Sequence, residues 1–208
     1  MTQLFLASAA NIVMDDIVKH LPKKPTEYKV SFIPTAAEVE EGDLWWLRDD
    51  RNKLVEAGFQ LTEFSITGLN KYQIEDKLKD IDLIFISGGN IFYLLDQCIK
   101  SEFDQVLREK INNGVIYIGS SAGSALVGIG NQLAKYLDDS TKAPGLKSDG
   151  LGIVDFVILP HWGSTDFHDG YQKSFADLYS ENYKIIPLTN TQYLWVKDRQ
   201  IEFIDVRK

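Results

Sequence analysis

The sequence predicts an α/β fold, a three-layer sandwich with a mostly parallel sheet that ends in a C-terminal antiparallel hairpin. Three observations carry this expectation. Short, near-continuous apolar runs alternate with longer amphipathic ones, the pattern of parallel strands covered on both faces by crossover helices. Glycine-rich turns at 87–90 and 119–123 directly follow two of the apolar runs. The last two strand-like runs straddle Lys197-Asp198-Arg199-Gln200, as expected of a hairpin. The chain has 208 residues, with 22 Lys+Arg, 30 Asp+Glu and 44% hydrophobic residues. That composition suits one domain, 1–208, able to bury a core without disulfide or structural metal.

In chain order, strands are expected at 4–7, 29–33, 60–64, 83–86, 115–118, 156–159 and 184–187, then 193–196 and 201–206 in the hairpin. Helices are expected at about 12–20, 38–57, 72–78, 91–112, 121–129 and 167–180. Within 91–112, Asn90 and Ser101 are placed to cap two successive helices, and Gly114 follows as a stop, each by the usual chemistry of helix ends. The segment 131–152 holds Pro144, Gly145, Gly150 and Gly152. It breaks the α/β rhythm and reads as an ordered excursion or flap.

Charge and cysteine content exclude several classes. The formal net charge is −8 with no compensating Lys/Arg stripe, so no nucleic-acid partner is expected. The single Cys98 allows neither an internal disulfide nor a multi-cysteine zinc site, and fits a buried helical thiol in a reducing compartment. The N-terminus lacks a basic n-region, and no run reaches the roughly 20 apolar residues needed to span a bilayer. No membrane association and a cytoplasmic location are therefore expected.

The chemistry is expected at three strand ends. Gly119-Ser120-Ser121-Ala122-Gly123 fits G-x-S-x-G between a strand and a helix, the setting that exposes a serine nucleophile on a sharp turn. Ser121 is the candidate nucleophile, and the Ala122 N–H a candidate oxyanion donor. Ser87-Gly88-Gly89-Asn90 closes another apolar strand, and Gly89 or Gly88 could supply the second donor. A tight turn with Asn90 as helix cap explains the same residues. Serine needs a base to take its proton. Of the three histidines, His161 follows a strand candidate in Leu159-Pro160-His161-Trp162-Gly163, whereas His20 lies in a helix and His168 in a charged stretch. Open α/β sheets bind ligands at the carboxyl ends of their strands, so topology would bring these pieces together. Gly128-Ile129-Gly130 lacks a dinucleotide-binding context, and His161, Asp166, His168 and Asp169 lack a metal-binding helical pattern. No cofactor or metal is expected.

In Ser87–Asn90, Ile118–Gly123 and Pro160-His161, in that order and spacing, the sequence resembles the peptidase E family, the aspartyl dipeptidases and their cyanophycinase relatives. The resemblance runs from the first strand to the final hairpin. It implies a class I glutamine-amidotransferase-like fold, a serine-type hydrolase, Ser121 as nucleophile, His161 as base, and oxyanion donors near Gly89 and Ala122. Family members orient the histidine with a glutamate after a late strand, and here the matching position carries Asn190. Three accounts follow: Asn190 assists the Ser–His pair, a carboxylate comes from elsewhere, or the enzyme is weakened. The candidate acids are Asp138 and Asp139 in the excursion, with Asp155, Asp166 and Asp169 as weaker choices.

An aspartyl substrate calls for a cation, preferably a forked arginine. After His161 the stretch 162–180 offers only Lys173. Arg48 and Arg51 could contribute, and Trp45 and Trp46 could line a pocket or pack in the core. The leading expectation is a serine peptidase for short peptides, including dipeptides with N-terminal Asp, acting as monomer or homodimer. The alternative is a binding or regulatory protein that has lost turnover.

Overall fold

The computed structural model describes residues 2–179, 183–198 and 200–207. Five parallel strands make the body of the main sheet: β1 (Gln3–Ala7), β2 (Lys29–Ile33), β3 (Gln60–Glu63), β4 (Leu83–Ile86) and β5 (Ile116–Ser120). β6 (Val157–Leu159) and β7 (Ile185–Pro187) pair in parallel as a separate two-stranded sheet. β8 (Gln192–Lys197) returns antiparallel to β1, and β9 (Gln200–Asp205) completes the hairpin. The sheet order is β3-β2-β4-β5-β1-β8-β9.

Strand alternation builds two cores. Along β1, Leu4 and Leu6 enter one cluster while Phe5 and Ala7 enter the other; along β4, Ile84 and Ile86 oppose Leu83 and Phe85. Helices α1 (Ala10–Ile17) and α2 (Trp45–Ala57) cover the second face through Val13, Met14, Ile17 and Leu54. Helices α3 (Lys71–Lys77), α4 (Ile91–Lys100), α5 (Phe103–Asn112) and α6 (Ala122–Leu126) cover the first, where Cys98 is fully buried. This is the expected three-layer arrangement. Helix α7 (His168–Leu178) packs instead with β6 and β7, through Tyr171 against Val157 and Leu159.

Several boundaries differ from expectation. The strands at 156–159 and 184–187 leave the main sheet, because each pairs over only three residues above its own small core with Leu133 and Tyr171. The helix expected over 38–57 begins at Trp45; Gly42, at φ 87, turns the chain first. Ser101 ends α4, donating its hydroxyl to the Gln97 carbonyl at 2.7 Å, and does not cap α5. Glu102, at φ 58, makes that junction. The segment 121–129 is helical only over Ala122–Leu126, which leaves Ser121 outside the helix. The excursion after it forms two 3-10 turns, Asn131–Tyr136 and Ser140–Lys142, and sends Ala143 and Leu151 into the core. Ser180, at the expected end of the seventh helix, and Arg199 in the hairpin turn lie outside the described residues.

The elbow glycines are required by backbone approach. A Cβ at Gly119 would lie 2.6 Å from the Gly123 carbonyl, and one at Gly123 would collide with the Ile86 carbonyl of β4. Gly123→Ala is expected to cost at least about 2 kcal/mol through overpacking, measured by urea denaturation.

Candidate active site

Ser121 occupies the turn from β5 into α6 at φ 52, ψ −111, a region that non-glycine residues enter only when surrounding contacts impose it. Those contacts are visible. The Ser121 N–H donates to the Ala7 carbonyl at 3.0 Å, while the Ser121 carbonyl accepts from Ser124 and Ala125 at 2.9 and 3.0 Å. The hydroxyl of Ser124 reaches Ala7 and Gly119 carbonyls at 2.7 and 2.8 Å. The turn is thereby tied to β1 as well as to its own helix.

His161 follows β6 at φ 62. Its N–H donates to Ser8 Oγ at 2.7 Å, the Tyr171 hydroxyl donates to the preceding Pro160 carbonyl, and its ring stacks on Phe167 with centroids 4.7 Å apart. Fixed in this way, Nε2 lies 2.8 Å from Ser121 Oγ and Nδ1 lies 2.7 Å from Asn190 Oδ1. Burial pushes the imidazole pKa below its ordinary value, against the opposing influence of the Asn190 hydrogen bond and the Asp166 charge. Burial thus favours the neutral ring.

Ser8 bridges His161 and Asn190. Its oxygen accepts the His161 N–H, and its proton goes to Asn190 Oδ1 at 3.2 Å. The amide oxygen faces both Ser8 and His161. Nδ1 must then carry the imidazole proton, which leaves the Nε2 lone pair to accept from Ser121. Ser8 was not singled out by sequence reasoning. The available signal was its place just after β1, the same kind of strand end that holds Ser121.

The Gly88–Gly89 turn lies against the serine. A Cβ on Gly88 would stand 3.2 Å from Ser121 Cβ, and one on Gly89, at φ 127, would collide with the Ala36 carbonyl. Among the described residues, the N–H groups of Gly88, Gly89 and Ala122 have no backbone acceptor. Asn90 caps α4, accepting the Tyr93 N–H at 3.0 Å, and donates from its amide to the Asp139 carbonyl at 3.1 Å.

Among the described residues none of the candidate carboxylates hydrogen-bonds His161, although Asp138 and Asp166 border the same cavity and the Asp166 charge acts on the ring. Asp138 accepts the Ile91 N–H at 2.8 Å, and Asp139 accepts from Thr141 N–H at 2.9 Å. Neither takes the orienting position on His161, because the excursion docks along the start of α4 and Asn190 already occupies Nδ1. Asp155 pairs with Lys184 at 2.5 Å, and Asp169 with His168 at 3.0 Å. Among the described residues no group of three His, Cys, Asp or Glu could hold a metal ion.

These groups border a cavity of about 390 Å³ that includes Ser121, His161, Gly88 and Asn190. Trp45 and Trp46 line it and do not enter the core. Arg48 pairs with Asp43, and Arg51 with Glu63 at 3.1 Å; neither borders the cavity.

A strained serine hydrogen-bonded to an imidazole, at the carboxyl edge of a parallel sheet, places the chain among α/β proteins with a candidate site at the strand ends. The model for peptidase family S51 matches residues 4–204, and the chain belongs to that family. It is 33% identical over 202 residues to an uncharacterized peptidase of Pasteurella multocida, PM1590, covering 95% of each chain. It is also 32% identical over 111 residues to peptidase E of Shewanella sp. strain ANA-3, covering 53% of this chain and 46% of that one. A crystal structure from Listeria monocytogenes EGD-e, provisionally named a peptidase E, superposes with a TM-score of 0.91 at 29% identity over the whole of both chains. A peptidase from an acI-B1 Actinobacterium shares the fold, with a TM-score of 0.71 at 19% identity and coverage of 99% of this chain and 88% of that one.

Asn190 orients the imidazole without a formal charge. Asn190→Asp should therefore raise the His161 pKa by about one to three pH units, read from the pH titration of its ring protons by NMR.

Proposed function

We propose that the protein is a serine-type peptidase that cleaves short peptides through an acyl-enzyme on Ser121. The observation that carries this reading is the continuous relay from Ser121 Oγ through both ring nitrogens of His161 to Asn190 Oδ1. Ser121 Oγ attacks the scissile carbonyl carbon as its proton passes to His161 Nε2. The N–H groups of Ala122 and of Gly88 or Gly89 receive the oxyanion, a charge that exists only during attack and so is stabilised selectively. The imidazolium returns the proton to the leaving amine as the C–N bond breaks. Water then gives its proton to His161 and attacks the ester, releasing the acid and restoring the serine.

Asn190 fixes the tautomer but supports imidazolium less than a carboxylate would. The same residue favours a second reading, in which the chain is a family member of reduced turnover that binds peptides. A serine-reactive phosphonate separates the two by intact mass. One adduct is expected on the native protein and none on Ser121→Ala, with a labelling rate that rises with pH as the imidazole deprotonates. Its midpoint should fall below the ordinary histidine value of about 6.5, because burial disfavours the protonated ring. No adduct, or an equal adduct on Ser121→Ala, contradicts the peptidase reading.

A further inference from the structure

We propose that the cavity beside Ser121 selects short peptides whose acyl-side residue carries a basic side chain and disfavours those with an acidic one. This deepens the peptidase reading and rests on it. The cavity that holds the Ser121–His161 pair is bordered by four carboxylates, Glu40, Asp50, Asp138 and Asp166, and among its described lining residues there is no lysine or arginine. One α-ammonium pairs with a single carboxylate, which leaves further acceptors in the cavity wall for a second cation.

Asp138 is the cavity carboxylate that is both largely enclosed and sparsely partnered. It accepts one hydrogen bond among the described residues, from the Ile91 N–H, and stands near the like-charged Glu40. Burial, reinforced by Glu40, pushes its carboxyl up to about 7. Asp50 is also pushed up to about 7 by burial, although the Ser120 hydroxyl and Asn11 N–H favour its charged form. A substrate ammonium or guanidinium would supply the missing countercharge in a site where water screens poorly. Trp45 and Trp46 add aromatic faces that attract cations and border the same space.

Three of the neighbouring cations are paired away from the cavity. Arg48 pairs with Asp43, Arg51 with Glu63, and Lys135 with Asp177 at 2.8 Å. Lys142 acts on Glu40 and Asp139 from outside the cavity wall. An aspartyl side chain would enter as a fifth carboxylate with no partner, and burying an unpaired charge is costly.

Calorimetric titration of Ser121→Ala with Lys-Ala, norleucyl-Ala and Asp-Ala tests the proposal without turnover. All three peptides share the α-ammonium, and norleucine matches lysine in length without its charge. Lys-Ala should bind about 10-fold tighter than norleucyl-Ala, the contribution of one partly desolvated ion pair, and Asp-Ala should bind weakest. Asp138→Asn in the Ser121→Ala background should remove most of the lysine advantage. Glu40→Gln, at an exposed position that does not threaten folding, should reduce it. Equal binding of the three, tighter binding of Asp-Ala, no binding of any, or an undiminished lysine advantage in both carboxylate variants overturns the proposal. Phosphonate labelling of Ser121 reports separately on the peptidase reading.

Discussion

The position of one proton organises this site. His161 Nδ1 can be held in its protonated tautomer by any acceptor, and here the acceptor is the uncharged Asn190 Oδ1 at 2.7 Å. An amide can present oxygen or nitrogen, and here the oxygen faces the ring. Ser8 bridges the two residues, giving its proton to Oδ1 while its oxygen accepts the His161 N–H. Ser8 therefore ties the Asn190 amide to the backbone of His161. A carboxylate would present no such choice, because both its oxygens accept.

The fold makes this convergence possible. β1, β4 and β5 are neighbours in the sheet and end on the same side, bringing Ser8, Gly88 and Ser121 together from stretches far apart in sequence. The small β6–β7 sheet adds His161 at the end of one strand and Asn190 shortly after the other. Its connection is direct: the Trp162 N–H donates to the Leu188 carbonyl at 2.9 Å. Strain at Ser121 and His161, both at positive φ, is sustained by these ties and by the close β4–α6 packing that Gly123 permits.

Much of this was legible in the sequence, and the limits have physical causes. The apolar runs at 29–33 and 83–86 coincide with β2 and β4 because central parallel strands are buried on both faces. The turns at Gly89 and Gly119 were readable because only glycine tolerates such backbone approach. The split of the 91–112 run into two helices was readable, but its junction at Glu102, and the late start of α2, depended on backbone reversals that apolar periodicity does not encode. Asp138 looked like an orienting acid from its place in the chain. The docking of the excursion on α4 carries it to the cavity wall, where it contacts Ile91 and not the histidine. Ser8 escaped notice because a lone serine after a strand has no motif; its significance arises from partners 153 and 182 residues away.

The most direct measurement is the tautomer of His161 at neutral pH, from the nitrogen-15 chemical shifts of its ring in the free protein. The account predicts a neutral ring with its proton on Nδ1 and an unprotonated, hydrogen-bond-accepting Nε2. A proton on Nε2 with Nδ1 bare would mean that Asn190 presents its NH2 group and that Ser121 faces no base, and the account would fail.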